Sequence, residues 1–140
     1  MEPTITPQEA GIKVGDILTG TWPHYGNHVY FYKVEGFKGK KTIILRHLRM
    51  MYDSKYASNS PGYHCAPDTD ELTSEQIGNL LDFAGEHGFT WHRFQFGTLG
   101  EKECRAYKSE RHGVYFRIPG DRYHPILFKW DGDPKWGCCD

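Results

Sequence analysis

Four cysteines, Cys65, Cys104, Cys138 and Cys139, are the residues whose chemistry this sequence most directly offers. None stands in the Cys-x-x-Cys spacing of a zinc finger. Each nevertheless reads as lying in or beside a Gly- or Pro-marked turn, with His64, His92 and His112 close by. A thiol buried only for packing belongs inside an apolar strand or helix, because it behaves as a small hydrophobe. Turn-borne thiols from distant segments instead predict a common tetrahedral ion. Zinc fits a thiolate-rich shell best, and a closed set of four ligands would be structural. Cys138 and Cys139 are adjacent and share one ion only with a strained backbone, so a histidine in place of one of them is a second ligand set. Unpaired core or surface thiols are a competing reading. A disulfide or redox pair is another, disfavoured in a reducing compartment.

Nucleophilic chemistry finds less support. Cys65 follows His64, and Cys104 lies eight residues before His112, so either could be drawn as a thiolate–imidazole pair. A nucleophile also needs an oxyanion hole, and its usual glycine-framed helix start is not evident. No phosphate-binding glycine loop, dinucleotide fingerprint or His-Glu-x-x-His pair occurs. The expectation is a protein that binds rather than one that catalyses.

Charge is nearly balanced overall, at −1, but unevenly placed. Residues 33–55 carry seven Lys and Arg against Glu35 and Asp53, whereas residues 65–90 carry six acids and no Lys or Arg. The acidic strip begins with Asp68, Asp70, Glu71 and Glu75, the candidate partner-binding residues. The basic strip interleaves Lys38, Lys40, Lys41, Arg46 and Arg49 with Tyr32 and Phe37, as a nucleic-acid surface would. A lysine-protected sheet edge explains the same pattern. So do two solvated faces that attract each other.

These residues have to be positioned by a fold of limited size. The chain is 140 residues long, 15% aromatic, with 16 Gly and 8 Pro, which predicts one domain rich in strands and turns. Thr6-Pro7-Gln8-Glu9 reads as a short capped turn ended by Gly11. Strands are expected over 14–22, 29–34 and 42–48, with a turn at 36–40, forming an antiparallel meander over 14–48. Residues 50–67 show no apolar period and read as a loop. Thr73 and Gln76 form a capping box ahead of Ile77, Leu80, Leu81 and Ala84, and Gly88 follows, which predicts a helix. This loop and helix make an insertion at 50–88. Further strands are expected at 89–96, 114–118 and 125–130, within a C-terminal strand region 89–140. The fold class is α+β: a strongly bent antiparallel sheet or barrel-like meander of about six strands, with one main helix. After Met1 no basic segment leads into an apolar run, and no stretch reaches the roughly 18 apolar residues that span a bilayer. A soluble, unexported monomer is the expectation.

Three patches together resemble a known group of proteins. They are Val14-Gly15-Asp16-Ile17-Leu18 followed by Trp22, Tyr25 and Asn27; Phe31-Tyr32-Lys33-Val34 leading to Lys41-Thr42 and Leu45-Arg46; and Trp130-Asp131-Gly132 with Pro134. Their order and spacing are similar to those of small accessory proteins of bacteriophages and prophages, over about a third of the chain. Residues 50–112 have no counterpart in that family. The resemblance implies a small barrel-like sheet closed by the Trp-Asp-Gly segment. With the size and the expected metal, it looks like a type II-A anti-CRISPR protein, a Cas9 inhibitor acting without catalysis in the host bacterial cytoplasm. The alternative it leaves open is a nucleic-acid-binding phage accessory protein using the basic hairpin 33–49.

Overall fold

Apolar residues fall on both faces of one long strand. Val29 and Phe31 point one way, Tyr32 and Val34 the other, and all four are buried. Successive side chains of a strand alternate between faces, so this strand has to be covered on two sides. The structure, a computed structural model, describes residues 3–22, 28–53, 63–93, 100–119 and 126–137. Its elements are β1 (Thr4–Ile5), β2 (Ile17–Trp22), β3 (His28–Lys38), β4 (Thr42–His47), β5 (Met50–Asp53), β6 (Tyr63–Pro67), a 3-10 turn (Thr69–Glu71), α1 (Ser74–His87), β7 (Trp91–Arg93), β8 (Glu101–Ser109), β9 (Gly113–Arg117), β10 (Phe128–Lys129) and β11 (Lys135–Gly137).

The large antiparallel sheet runs β1-β8-β4-β3-β2-β10, with β9 also paired to β8. It curls until β9 meets β10, where Phe116 and Leu127 exchange backbone hydrogen bonds of 2.8 Å in both directions. The interior of this barrel holds Leu18, Tyr32, Val34, Ile43, Leu45, Cys104, Ala106, Phe116 and Leu127. Full burial of a Leu, Ile, Val or Phe side chain contributes roughly 1.5–3 kcal/mol. The meander β2-β3-β4 and the α+β class are as the sequence indicates.

A second sheet, β11-β6-β5-β7, packs on the outer face of β3, where Val29, Phe31, Met51, Tyr63, Cys65 and Trp130 form a second core. On its far side lies α1. Thr73 accepts from the Gln76 amide while the Gln76 side chain accepts from the Thr73 amide, and Gly88 ends the helix at φ 73°. Leu80 and Ala84 are its buried residues.

Several expectations need correction. Residues 50–67 do not form one loop, because β5 and β6 occupy both ends and pair with each other, Met51 opposite Ala66. Gly36 does not start the turn; it sits at a register shift between Val34 and Gly36 that bends β3, and the turn falls at Gly39, φ 65°. β8 and β11 extend regions that the sequence pattern left without strands. Of the C-terminal strands, β7 and β11 complete the small sheet with β5 and β6, while β8, β9 and β10 close the barrel. The segments 23–27, 54–62, 94–99, 120–125 and 138–140 lie outside the described residues, and with them part of the expected strand 89–96.

Candidate functional site

Cys65 and Cys104 are not turn residues. Cys65 is in the interior of β6, opposite Tyr52 and Lys135, and Cys104 is in the interior of β8, opposite Ile43; both are fully buried. Cys104 belongs to the barrel core with Tyr32, and Cys65 to the outer core with Phe31, so the β3 layer separates them. Two thiolates on one tetrahedral zinc must lie within about 4 Å of each other. The structure does not bring this pair together, and the premise of converging turn-borne thiols is corrected for both. Burial pushes each thiol up to about 12, which keeps it protonated and unreactive. Cys138 and Cys139 lie outside the described residues. Cys65 and His64 are neighbours on a strand and face opposite ways, which disposes of that pair as a nucleophile and base.

The four acidic candidates separate into two kinds. Asp68 is buried, accepts the Asp70 amide at 3.1 Å and lies 3.3 Å from Arg93 Nε. Glu71 takes a bidentate fork from Arg46, at 2.9 and 2.7 Å, and a further contact from Lys33 at 3.3 Å. Arg46 also pairs with Glu35. The hydrogen bond from Arg46, helped by Lys33, holds the Glu71 carboxyl below its usual range. Here the basic and acidic strips bind each other, tying the segment that leads into α1 to the outer face of β3 and β4. Asp70 and Glu75 point outward, and Asp70 lies 3.1 Å from Arg93.

Beyond Glu75, the exposed side of α1 carries Asp82 and Glu86, which share one stripe with it at helical spacing. None of Glu75, Asp82 and Glu86 has an ion-pair partner among the described residues. Beside this stripe runs a second, Gly78, Leu81 and Gly85. Leu81 is 60% exposed, and a Cβ at either glycine would meet nothing within 4 Å. Glycine inside a helix costs about 1 kcal/mol relative to alanine, and none of the described residues packs closely enough to require it. Sequence reasoning assigned Leu81 to the apolar stripe and counted Asp82 and Glu86 in the acidic strip without making them contact residues. Helical spacing from Leu80 and Ala84 was the available signal.

The basic hairpin is less open to nucleic acid than its composition implies. Lys33 and Arg46 are held by Glu71, Lys38 lies 3.5 Å from Glu103, and Lys41 bonds Thr4. Tyr32, expected to be available for stacking, is buried inside the barrel. Lys55 lies outside the described residues.

One further cluster joins the small sheet to α1. His64 on β6 is ringed by Phe83, His87, Phe89 and Trp136, with ring centroids 5.1, 5.7, 5.5 and 4.8 Å away. Its backbone amide and Nδ1 lie 2.8 and 3.2 Å from the buried Asp53 carboxylate. His92 pairs across from Tyr52, whereas His112 packs on Tyr115. Among the described residues no three His, Cys, Asp or Glu are grouped to hold a metal, and no helix is long and apolar enough to cross a membrane. Comparison with protein families, characterised proteins and solved structures finds no match to the chain.

Proposed function

We propose that this protein is a non-enzymatic inhibitor that docks the outward face of α1 on a basic surface of a host defence nuclease of the Cas9 type. The observation that carries the reading is the stripe Glu75, Asp82 and Glu86, which has no ion-pair partner among the described residues, beside the exposed Leu81 and two helix-weakening glycines. Like charges on neighbouring helical turns repel, and glycines weaken the helix, so this face gives up stability that no contact among the described residues restores. A basic partner recovers it: opposite charge speeds and orients encounter, Leu81 supplies an apolar anchor, and the glycines let partner backbone approach. Guide and target channels of Cas9-type nucleases are positively charged, which matches in sign. The resemblance to phage accessory proteins supports the same direction, with action in the host bacterial cytoplasm as a monomer.

Titration tests it. Against a fixed amount of guide-loaded nuclease, cleavage is expected to vanish near an equimolar ratio, with both proteins chemically unchanged afterwards. Undiminished cleavage at large excess across several type II-A enzymes overturns the reading. Salt-dependent retardation of naked DNA or RNA by the protein, without effect on the nuclease, would favour the basic hairpin instead.

A further inference from the structure

We propose that His64 and His87 form a two-imidazole chelate for a borderline divalent metal ion of the zinc class, at the junction of the small sheet and the last turn of α1. Their ring centroids are 5.7 Å apart, inclined at 58°. Two imidazoles bound tetrahedrally through Zn–N bonds of about 2.0–2.1 Å hold their centroids about 5 Å apart, close to the separation of this pair. The hydrogen bonds at the other ring nitrogen supply the second argument. His64 Nδ1 lies 3.2 Å from Asp53 Oδ2, and His87 Nδ1 lies 2.9 Å from the Phe83 carbonyl oxygen. Both acceptors lack a proton to give, so each Nδ1 is the donor, and in the neutral ring the lone pair sits on Nε2. Metal-bound histidines are held in this manner, with the non-ligating N–H donated to a carboxylate or a backbone carbonyl that fixes tautomer and orientation.

Both rings are also held in place. Phe89 stacks on His64 with 7° between planes, Trp136 meets it edge-on, and Phe83 stacks on His87 at 4.0 Å. The site remains reachable, since His87 is exposed and the His64 side chain is 23% exposed. Among the described residues no third ligand joins the pair, so the other coordination positions would be taken by water or by a group from outside. Imidazole ligands suit zinc, nickel and copper over magnesium or calcium. This reading is independent of the docking face of α1.

The test uses full-length, tag-free protein stripped with chelator and titrated with Zn2+ by calorimetry, alongside proton NMR of the histidine ring resonances. Binding of one equivalent is expected, with the His64 and His87 signals shifting together. His64→Gln and His87→Gln should each abolish that event, and His92→Gln and His112→Gln should leave it intact. Asp53→Asn, which keeps both ligands but alters the support of His64, should weaken Zn2+ binding about 10- to 100-fold. His87 is on an exposed helix end, so its variant reports on the metal even where His64→Gln unfolds the sheet. No uptake of Zn2+, or uptake that survives His87→Gln with the His64 signal unmoved, overturns the proposal. So does uptake abolished by Cys138→Ser and Cys139→Ser but untouched by both histidine variants.

Discussion

Glu71 is where the two charged strips of the sequence meet. Its fork with Arg46 and contact with Lys33 span 25 and 38 residues of chain, so the pairing could not be read from local spacing. Glu71→Gln leaves Arg46 and Lys33 short of a charge, and a loss of about 1–3 kcal/mol is expected in denaturant unfolding. The pH dependence follows from the lowered Glu71 value. A carboxylate held below its ordinary 4.5 adds stability that is fully present above that pH and is lost as the pH falls through the lower folded value. Melting temperature should therefore fall below pH 4.5 in the natural protein, and less steeply in Glu71→Gln. Cys104 makes a separate prediction. Its packing in the barrel core means that Cys104→Ser strands a hydroxyl among apolar side chains, costing about 1–3 kcal/mol, with zinc uptake in a titration the same as that of the natural protein. A loss of metal in that variant would contradict the placement of this thiol.

Among the elements, α1 was legible because its signals are local: a Thr73–Gln76 box, an apolar repeat and Gly88. β8 was not, because its inward positions Cys104 and Ala106 are small and the rest of Glu101–Ser109 is polar, leaving no apolar alternation to detect. β5 and β6 were missed for another reason: Asp53 and His64 are polar residues that become covered only when α1 folds over the sheet. Of the four acids expected to bind a partner, Asp70 and Glu75 face outward, while Asp68 and Glu71 are bonded within the fold, a division that local spacing does not reveal. The two glycines within α1 give the helix-level prediction. Gly78→Ala and Gly85→Ala should each raise stability by about 0.5–1 kcal/mol, because the added methyl meets open space in a helical backbone. The same changes should weaken binding to the nuclease, and a pair that is stabilised without loss of binding would remove the glycines from the contact.

For the molecule as a whole, the residues on which a phage-protein resemblance is expected divide between core and surface. Ile17, Leu18, Phe31, Tyr32, Val34, Leu45 and Trp130 are buried whereas Val14 is exposed, and the proposed docking face lies on α1, outside all of these segments. Closure of the barrel at Phe116 and Leu127 joins the two ends of the large sheet, and Phe116→Ala should cost about 3–5 kcal/mol in urea unfolding. Phe128→Ala, one residue on but half exposed, should cost less than about 1 kcal/mol; equal losses would contradict the closure. The central claim is that stability and partner contact reside on different surfaces of one small domain. Calorimetric binding of the triple variant Glu75→Lys, Asp82→Lys, Glu86→Lys to guide-loaded Cas9, with its melting temperature measured in parallel, tests this most directly. The account predicts a native-like melting temperature, binding weakened at least tenfold, and a smaller salt dependence than the natural protein shows. Unchanged affinity in a folded triple variant would contradict it.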